Sequence, residues 1–286
     1  MRSAVGIRSA SPDDLDAVFE LFEARDRASF GQVEVLRRHV AEGFELPSTD
    51  HLVAVGSGIE GYATLSGAQE VVIVGESGDA LLAALEERAA ERGFSQVTAI
   101  VAHGDEQFDA LVRDSGFTHH GDVLRMWRPL DEPFMEPMWS EGVAVRTYEP
   151  NDAAAVLALL DEAYAWDETY ASLPLEEWVQ WMTECIEFDP ELWFLVERDG
   201  TLVACALHWD AVGGRGWVKD LAVRAGERGR GLGAALLRHG FAAYAARGAS
   251  GVGLKVDATN PTGAVHLYER EGFTVDRAYG NWAKTL

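Results

Sequence analysis

Two stretches of the chain, "IRSASPDDLDAVFELF" (7–22) and "VRTYEPNDAAAVLALL" (145–160), share Arg in second place, Pro in sixth and Asp in eighth, and apolar residues at helical spacing follow. A strand running into a Pro-Asp turn that opens a helix accounts for both. Later "RGFSQV" (92–97) answers "RGASGV" (247–252), and "DSGF" (114–117) answers "REGF" (270–273). The offset between partners grows from 138 to 156 residues, so the second copy carries insertions. A repeat this long asks for two related domains, and 286 residues, 48% hydrophobic and 10% aromatic, suffice for two cores. The expectation is residues 1–131, a linker over 132–142 within "DEPFMEPMWSEG", and residues 143–286.

Each copy reads as a strand, a helix or helix pair, two or three strands, a helix, a strand, a helix and a strand. The fold class is α/β (α+β), a mixed central sheet flanked by helices in each copy. In the second copy "LWFLVERDGTLVACALHWD" predicts a hairpin turning at Asp199-Gly200, and "GWVKDLAV" (216–223) a further strand. A helix ends at Gly248, a strand covers "GVGLKVDA" (251–258), and a last helix opens at Pro261 and closes at Gly272.

Formal net charge is −23, which argues against nucleic-acid partners because phosphates meet a repelling surface. Such acidity serves solubility first and mild steering of cations second. Cys185 and Cys205 are too few for a disulfide framework, and Cys205, in "LVACALHW", reads as a small buried thiol. "MRSAVGIRSA" lacks the apolar core of a signal peptide, and no segment has the roughly 18 apolar residues of a membrane span. A reducing cytoplasm is the expected location.

Against that acidic background, "AVRAGERGRGLGAALLRHG" (222–240) is a local demand for positive charge and bare backbone. Six of the 24 basic residues (Arg215, Lys219, Arg224, Arg228, Arg230, Arg238) fall within 215–238, where an even spread gives about two. A nucleotide P-loop needs Gly-Lys-Ser/Thr, which is missing. Gly229, Gly231 and Ala234 spell a dinucleotide G-x-G-x-x-A, but "RAGER" separates them from the strand and only about 50 residues follow. A pyrophosphate cradle of the acyl-CoA type fits better. Helix-start N–H groups converge on one point, Gly229, Gly231 and Gly233 leave the backbone bare, and Arg228 and Arg230 supply charge. A glycine-rich helix start with solvated arginines would serve structure alone.

"DLAVRAGERGRGLGAALL" (220–237), with its R-x-x-G-x-G before a helix, and "VDATNPTGAVHLYEREGF" (256–273), with Asn at a strand end and Tyr on the next helix, resemble the GNAT (GCN5-related) N-acetyltransferase superfamily. The resemblance is strong over 145–286 and weak over 1–131, and is similar to the tandem-domain type. It implies acetyl-CoA as co-substrate and no metal. It places Leu221, Ala222 and Val223 along the pantetheine arm, residues 228–234 (Arg228, Gly229, Arg230, Gly231, Leu232, Gly233, Ala234) on the pyrophosphate, and Asn260 on the arm. Tyr268 would protonate the departing thiolate while a neutral amine attacks the thioester. Structural duties compete: Tyr268 as core, Asn260 as a helix-entry cap.

Asp220 is the carboxylate base candidate, which alternation sends to the face opposite Leu221 and Val223. It serves equally as a solvated or paired acid. In the tandem-domain type the comparable acid sits earlier in the strand, where this chain has Trp217, which weakens the assignment. The first copy has lost the chemistry. Gly104 stands opposite Asn260, Val112 opposite Tyr268, and Glu76 and Asp79 in "VIVGESGDALL" would repel a pyrophosphate.

The first helices of the active copy in this family line the acceptor pocket. Here Trp166, Asp167, Glu168 and Tyr170 offer flat faces and negative charge to an amine cation, or form the acidic solvent face of a helix pair. His208, His239 and His266 lack metal-ligand spacing. The expected function is acetyl transfer to a primary amine of a small molecule. Acetylation of a protein or peptide amine, and a non-enzymatic acyl-CoA sensor, are the alternatives. Partners are a small-molecule amine, no nucleic acid and no membrane, with monomer and homodimer both open.

Overall fold

A computed structural model describes residues 5–286 apart from Pro47, Ile186 and Gly213. The first four residues, part of the stretch read for a leader, lie outside the described residues. The first copy runs β1 (Gly6–Ser9), α1 (Leu15–Phe30), α2 (Arg37–Gly43), β2 (Asp50–Val55), β3 (Ile59–Leu65), β4 (Val71–Gly75), α3 (Gly78–Glu91), β5 (Gln96–Ala102), α4 (Glu106–Asp114) and β6 (Thr118–Pro129). The second repeats that order: β7 (Val143–Thr147), α5 (Ala153–Tyr164), α6 (Leu175–Thr183), β8 (Phe188–Arg198), β9 (Thr201–Val212), β10 (Arg215–Val223), α7 (Leu232–Ala246), β11 (Gly251–Asp257), α8 (Ala264–Arg270) and β12 (Thr274–Thr285).

The chain packs as two compact units, residues 1–123 with 278–286, and residues 124–277. This division differs from the boundaries read off the repeat. β6 and β12 are each 12 residues long, and each divides its length between the two units. In the first unit β1, β2, β3 and β4 form an antiparallel sheet in that order, and β5 pairs antiparallel with residues 279–285. One of its cores contains Leu81, Leu85, Val97, Phe108 and Val112; the other joins Val18, Val53 and Tyr62.

The second unit carries the candidate site. Its strands run β11-β10-β9-β8-β7, antiparallel except for the parallel pair β10–β11. The middles of β8 (192–196) and β9 (203–207) are buried on both faces, which explains their unbroken apolar runs. Phe194, Val196, Ala204 and Ala206 join Leu236 and Phe241 of α7 in one core. Trp193, Leu195, Cys205 and Leu207 face Val156, Leu160 and Trp178 of α5 and α6 in the other. The hairpin turns at Asp199 (φ 50°) and Gly200 (φ 73°), the paired left-handed residues that the Asp-Gly sequence predicts. Gly248 adopts φ 76° just beyond α7, as its place at the helix end requires.

One helix departs from its sequence reading. α8 opens at Ala264 with Gly263 as N-cap (φ 77°), three residues after Pro261. The Asn260 Oδ1 accepts the Thr262 N–H at 2.9 Å and its hydroxyl at 2.5 Å, and this local turn occupies the place of a first helical turn. Among the described residues, no helix is long and apolar enough to cross a membrane.

Candidate active site

The site begins with an irregularity in β10. Cross-strand pairing passes from Val218–His208 directly to Asp220–Leu207, so Lys219 is an extra residue in its strand. Such a bulge cancels the alternation of side chains for one step. Val218, Leu221 and Val223 therefore pack with the α7 core, while Ala222 joins the α5–α6 core. Lys219 and Asp220, neighbours in sequence, share the α5–α6 face. The Lys219 Nζ stands over the rings of Trp181 on α6 (4.8 Å) and Trp209 on β9 (5.6 Å), and the Asp220 carboxylate accepts the Tyr164 hydroxyl of α5 at 2.9 Å.

At the same point β10 leaves its parallel neighbour. Pairing with β11 covers only Arg215–Val218 against Gly251–Leu254, although β10 continues to Val223 and β11 to Asp257. Backbone groups of residues 219–223 on that side face a wedge between diverging strands. An extended amide-bearing chain can add there as a strand does. Leu221, Ala222 and Val223 belong to this stretch of β10 beyond its pairing with β11.

The end of the wedge meets the start of α7. Gly229 (φ 75°) and Gly231 (φ 81°) adopt left-handed backbone in open space, a conformation glycine alone takes without strain. Gly231 caps α7 with no side-chain bond, and the helical ladder starts with the Ala235 N–H donating to the Gly231 carbonyl at 3.0 Å. The amides of Leu232, Gly233 and Ala234 precede it, as the orphan donors of a helix start do. Arg228, Gly229, Arg230 and Gly231 are exposed. A Cβ on Gly233 would lie 3.0 Å from Leu267 of α8, so this glycine brings the two helices together.

The crowd of cations resolves into separate duties. Arg215 lies over Trp127 (5.0 Å), Arg224 pairs with Glu162 (2.7 Å), and Arg238 forms a buried bidentate pair with Glu271 (2.8 and 2.9 Å) that ties α7 to α8. Arg228 donates its Nε to the Val223 carbonyl at 3.0 Å, leaving its terminal nitrogens outward, and Arg230 stands 3.6 Å from Glu227. Two of the six cations thus flank the glycines; the local excess serves packing as much as any anion.

Tyr268 of α8 is buried, at 7% exposure, with its ring edge-to-face on Phe273. Burial, then the Asp220 charge, push its phenol well above the usual range; the same two causes act on Tyr164. Tyr170 stacks obliquely on Tyr164 at 5.3 Å and donates to Asp161 at 2.7 Å. Asp220, Tyr268 and Tyr170 are therefore drawn into one neighbourhood. Asp167 instead closes its own loop, accepting the Thr169 N–H (2.8 Å) and hydroxyl (2.7 Å). Trp166 is half-buried and Glu168 exposed.

Sequence reasoning missed Tyr164, Lys219, Trp181 and Trp209. Only the tryptophans gave a signal, as large rings on otherwise ordinary elements. Trp217 lies over Gly253, whose missing Cβ makes room for the indole at 2.6 Å. The first copy lacks these groups. α3 follows β4 after a short turn with Ser77 at φ 64°, Asp79 sits in its first turn, and the fully buried Val112 has no hydroxyl.

Residues 153–273 match the acetyltransferase (GNAT) family. A mycothiol acetyltransferase of Thermobispora bispora is 42% identical over 183 residues, which is 60% of this chain and 61% of the relative, under two thirds of its length. A second, of Streptomyces avermitilis, is 33% identical over 295 residues and covers 95% of this chain and 92% of the relative. Among solved structures, a GCN5-related N-acetyltransferase from Sphaerobacter thermophilus superposes with TM-score 0.77 at 27% identity, covering 98% and 95% of the two chains. A tandem GNAT protein from the clavulanic acid biosynthesis pathway shares the fold at TM-score 0.69 and 15% identity, covering 99% and 98%. The chain belongs to the GNAT acetyltransferase family, and the family's order of elements occurs in it twice.

Proposed function

We propose that this chain transfers an acetyl group from acetyl-CoA to a primary amine of a small molecule, by direct attack. The observation that carries the reading is the wedge between β10 and β11, with an uncapped glycine-rich helix start at one end and Asp220, Tyr164 and Tyr268 beside it. In this reading the α7 amides and Arg228 and Arg230 hold the pyrophosphate, and the free edge of 219–223 pairs with the pantetheine amides. Asn260 spends its carbonyl oxygen on its own turn, which leaves its amide N–H groups for the arm.

The acceptor nitrogen attacks the thioester carbonyl carbon, and the carbon–sulfur bond breaks as the amide forms. Asp220 takes the proton from nitrogen, and Tyr268, kept protonated by its buried setting, gives its proton to the thiolate. Tyr164 donates to the Asp220 Oδ1 and so fixes the orientation of the carboxylate. Tyr170 and Trp166 wall the approach.

The relatives' names point to mycothiol-type acceptors, and Trp217, standing where the tandem-domain type has an acid, is the reason to test more widely. Calorimetry with acetyl-CoA, followed by CoA-release assays over mycothiol-type amines, aminosugars, aminoglycosides and peptides, decides. Turnover restricted to small amines supports the reading; turnover of peptides favours the protein-acetylating alternative. Binding without turnover favours a sensor, and no binding of any acyl-CoA removes the reading.

A further inference from the structure

Lys219 stands in the second unit with no part in the reaction as written. On a regular strand it would point away from Asp220. The bulge turns both onto one face and leaves the Lys219 Nζ 3.6 Å from the Asp220 Oδ2, with side-chain exposures of 22% and 12%. Two indoles, Trp181 and Trp209, hold the ammonium from the other sides at 4.8 and 5.6 Å. A lysine stem is flexible and loses entropy when fixed, and this one is fixed by three neighbours.

The groups facing Asp220 are Tyr164 from α5, Tyr170 from the loop after it, Cys205 from β9, Tyr268 from α8, and Lys219 beside it. The three phenols and the thiol are held neutral by burial. Neutral donors of this kind can aim a carboxylate but bring no opposite charge to it. Lys219 is the cation of the group.

We propose that Lys219 is a positioning residue for Asp220: its ammonium, clamped between Trp181 and Trp209, holds the carboxylate at Oδ2 while the Tyr164 hydroxyl holds it at Oδ1. The proposal rests on the reading of Asp220 as the base. It assigns to the bulge a purpose that a regular strand could not serve, because only the extra residue brings cation and carboxylate together.

The test is the split between kcat and KM for Lys219→Met, Lys219→Gln and Lys219→Arg, with thermal melting as the check on folding. In Lys219→Met and Lys219→Gln kcat should fall about tenfold while KM for acetyl-CoA stays within about twofold. Lys219→Arg, which keeps the charge and stacks on indoles, should retain most of kcat. Combining Lys219→Met with Asp220→Asn should cost no more than Asp220→Asn alone, since the lysine acts through the carboxylate. Folded Met and Gln variants with native kcat overturn the proposal, as does an arginine variant as slow as they are, or a further loss on adding Lys219→Met to Asp220→Asn. Full activity in Asp220→Asn would instead remove the base assignment on which the proposal rests.

Discussion

Arg146 and Asp152 grip each other through two hydrogen bonds, of 2.6 and 2.7 Å, across the turn that leads β7 into α5. Arg8 and Asp14 form the same clasp at the same spacing, both bonds 2.7 Å. Each carboxylate also accepts the N–H of the residue three before it, Glu149 or Ser11, at 2.8 Å. The repeated Arg, Pro and Asp of the sequence are thus parts of one device that fixes a strand–helix corner.

That clasp predicts a pH-dependent stability. Arg8 is the first cause that holds the Asp14 carboxyl down to about 2, against 3.8 ordinarily. A depressed carboxylate stabilises the fold above its unfolded pKa and loses that contribution as pH falls through the folded value. The full linkage is about 2.4 kcal/mol, and the exposure of Arg8 reduces it to about 1 kcal/mol. Asp14→Asn should therefore cost about 1 kcal/mol in urea unfolding at pH 7, with the difference roughly halved at pH 3. A difference constant between those pH values would show that the aspartate acts without its charge.

The glycine-arginine turn yields a comparison of glycines. Gly231 has open space but φ 81°, so Gly231→Ala should cost about 1 kcal/mol in stability and lower acetyl-CoA affinity tenfold or more, by displacing the amides of α7. Gly226 in the same loop has open space and no left-handed backbone, and Gly226→Ala should leave affinity within about twofold. Isothermal calorimetry of both variants checks this. Equal affinities would mean that the backbone there does not shape the anion site.

The order of elements, the Asp199-Gly200 hairpin, the stop at Gly248 and the two Pro-Asp helix starts were legible because each depends on residues within one or two turns of chain. The glycine-rich turn that opens α7 was legible for the same reason. The bulge at Lys219 was not, since it exists only in the register between β10 and β9, set by packing on both faces of the sheet. The duties of Arg224 and Arg238 were hidden because Glu162 and Glu271 are far along the chain from them. Pro261 misled because a helix start depends on what Asn260 bonds, and it bonds Thr262. The allocation of residues 278–286 to the first unit follows from pairing with β5, which local sequence does not encode.

Tyr268 tests the chemistry apart from the binding. Its ring packs on Phe273 in the core, so Tyr268→Phe keeps the shape and removes only the hydroxyl. The expected result is a fall in kcat of about 10²- to 10³-fold with acetyl-CoA affinity within about threefold. Unchanged turnover would leave the ring a structural residue and pass the acid role elsewhere.

His208 sets the behaviour of the second unit in acid. Its ring is fully buried in the α7 core with no hydrogen-bond partner for either nitrogen among the described residues, and a Cβ on Gly240 would lie 2.5 Å from it. Burial, then His239, hold its pKa down to about 3, against 6.5 ordinarily. For a histidine depressed in this way the fold is at full stability above 6.5 and loses it progressively as pH falls toward 3, because the unfolded chain takes up the proton first. The whole window is worth up to about 5 kcal/mol. His208→Leu, similar in volume and apolar, should flatten the decline of stability between pH 6.5 and 4 while changing stability at pH 7.5 by less than about 1.5 kcal/mol. Gly240→Ala should destabilise at every pH by about 2 kcal/mol, since the imidazole has no room to yield. Urea unfolding across that range separates the two effects: an acid slope unchanged in His208→Leu would place the responsible proton on another group.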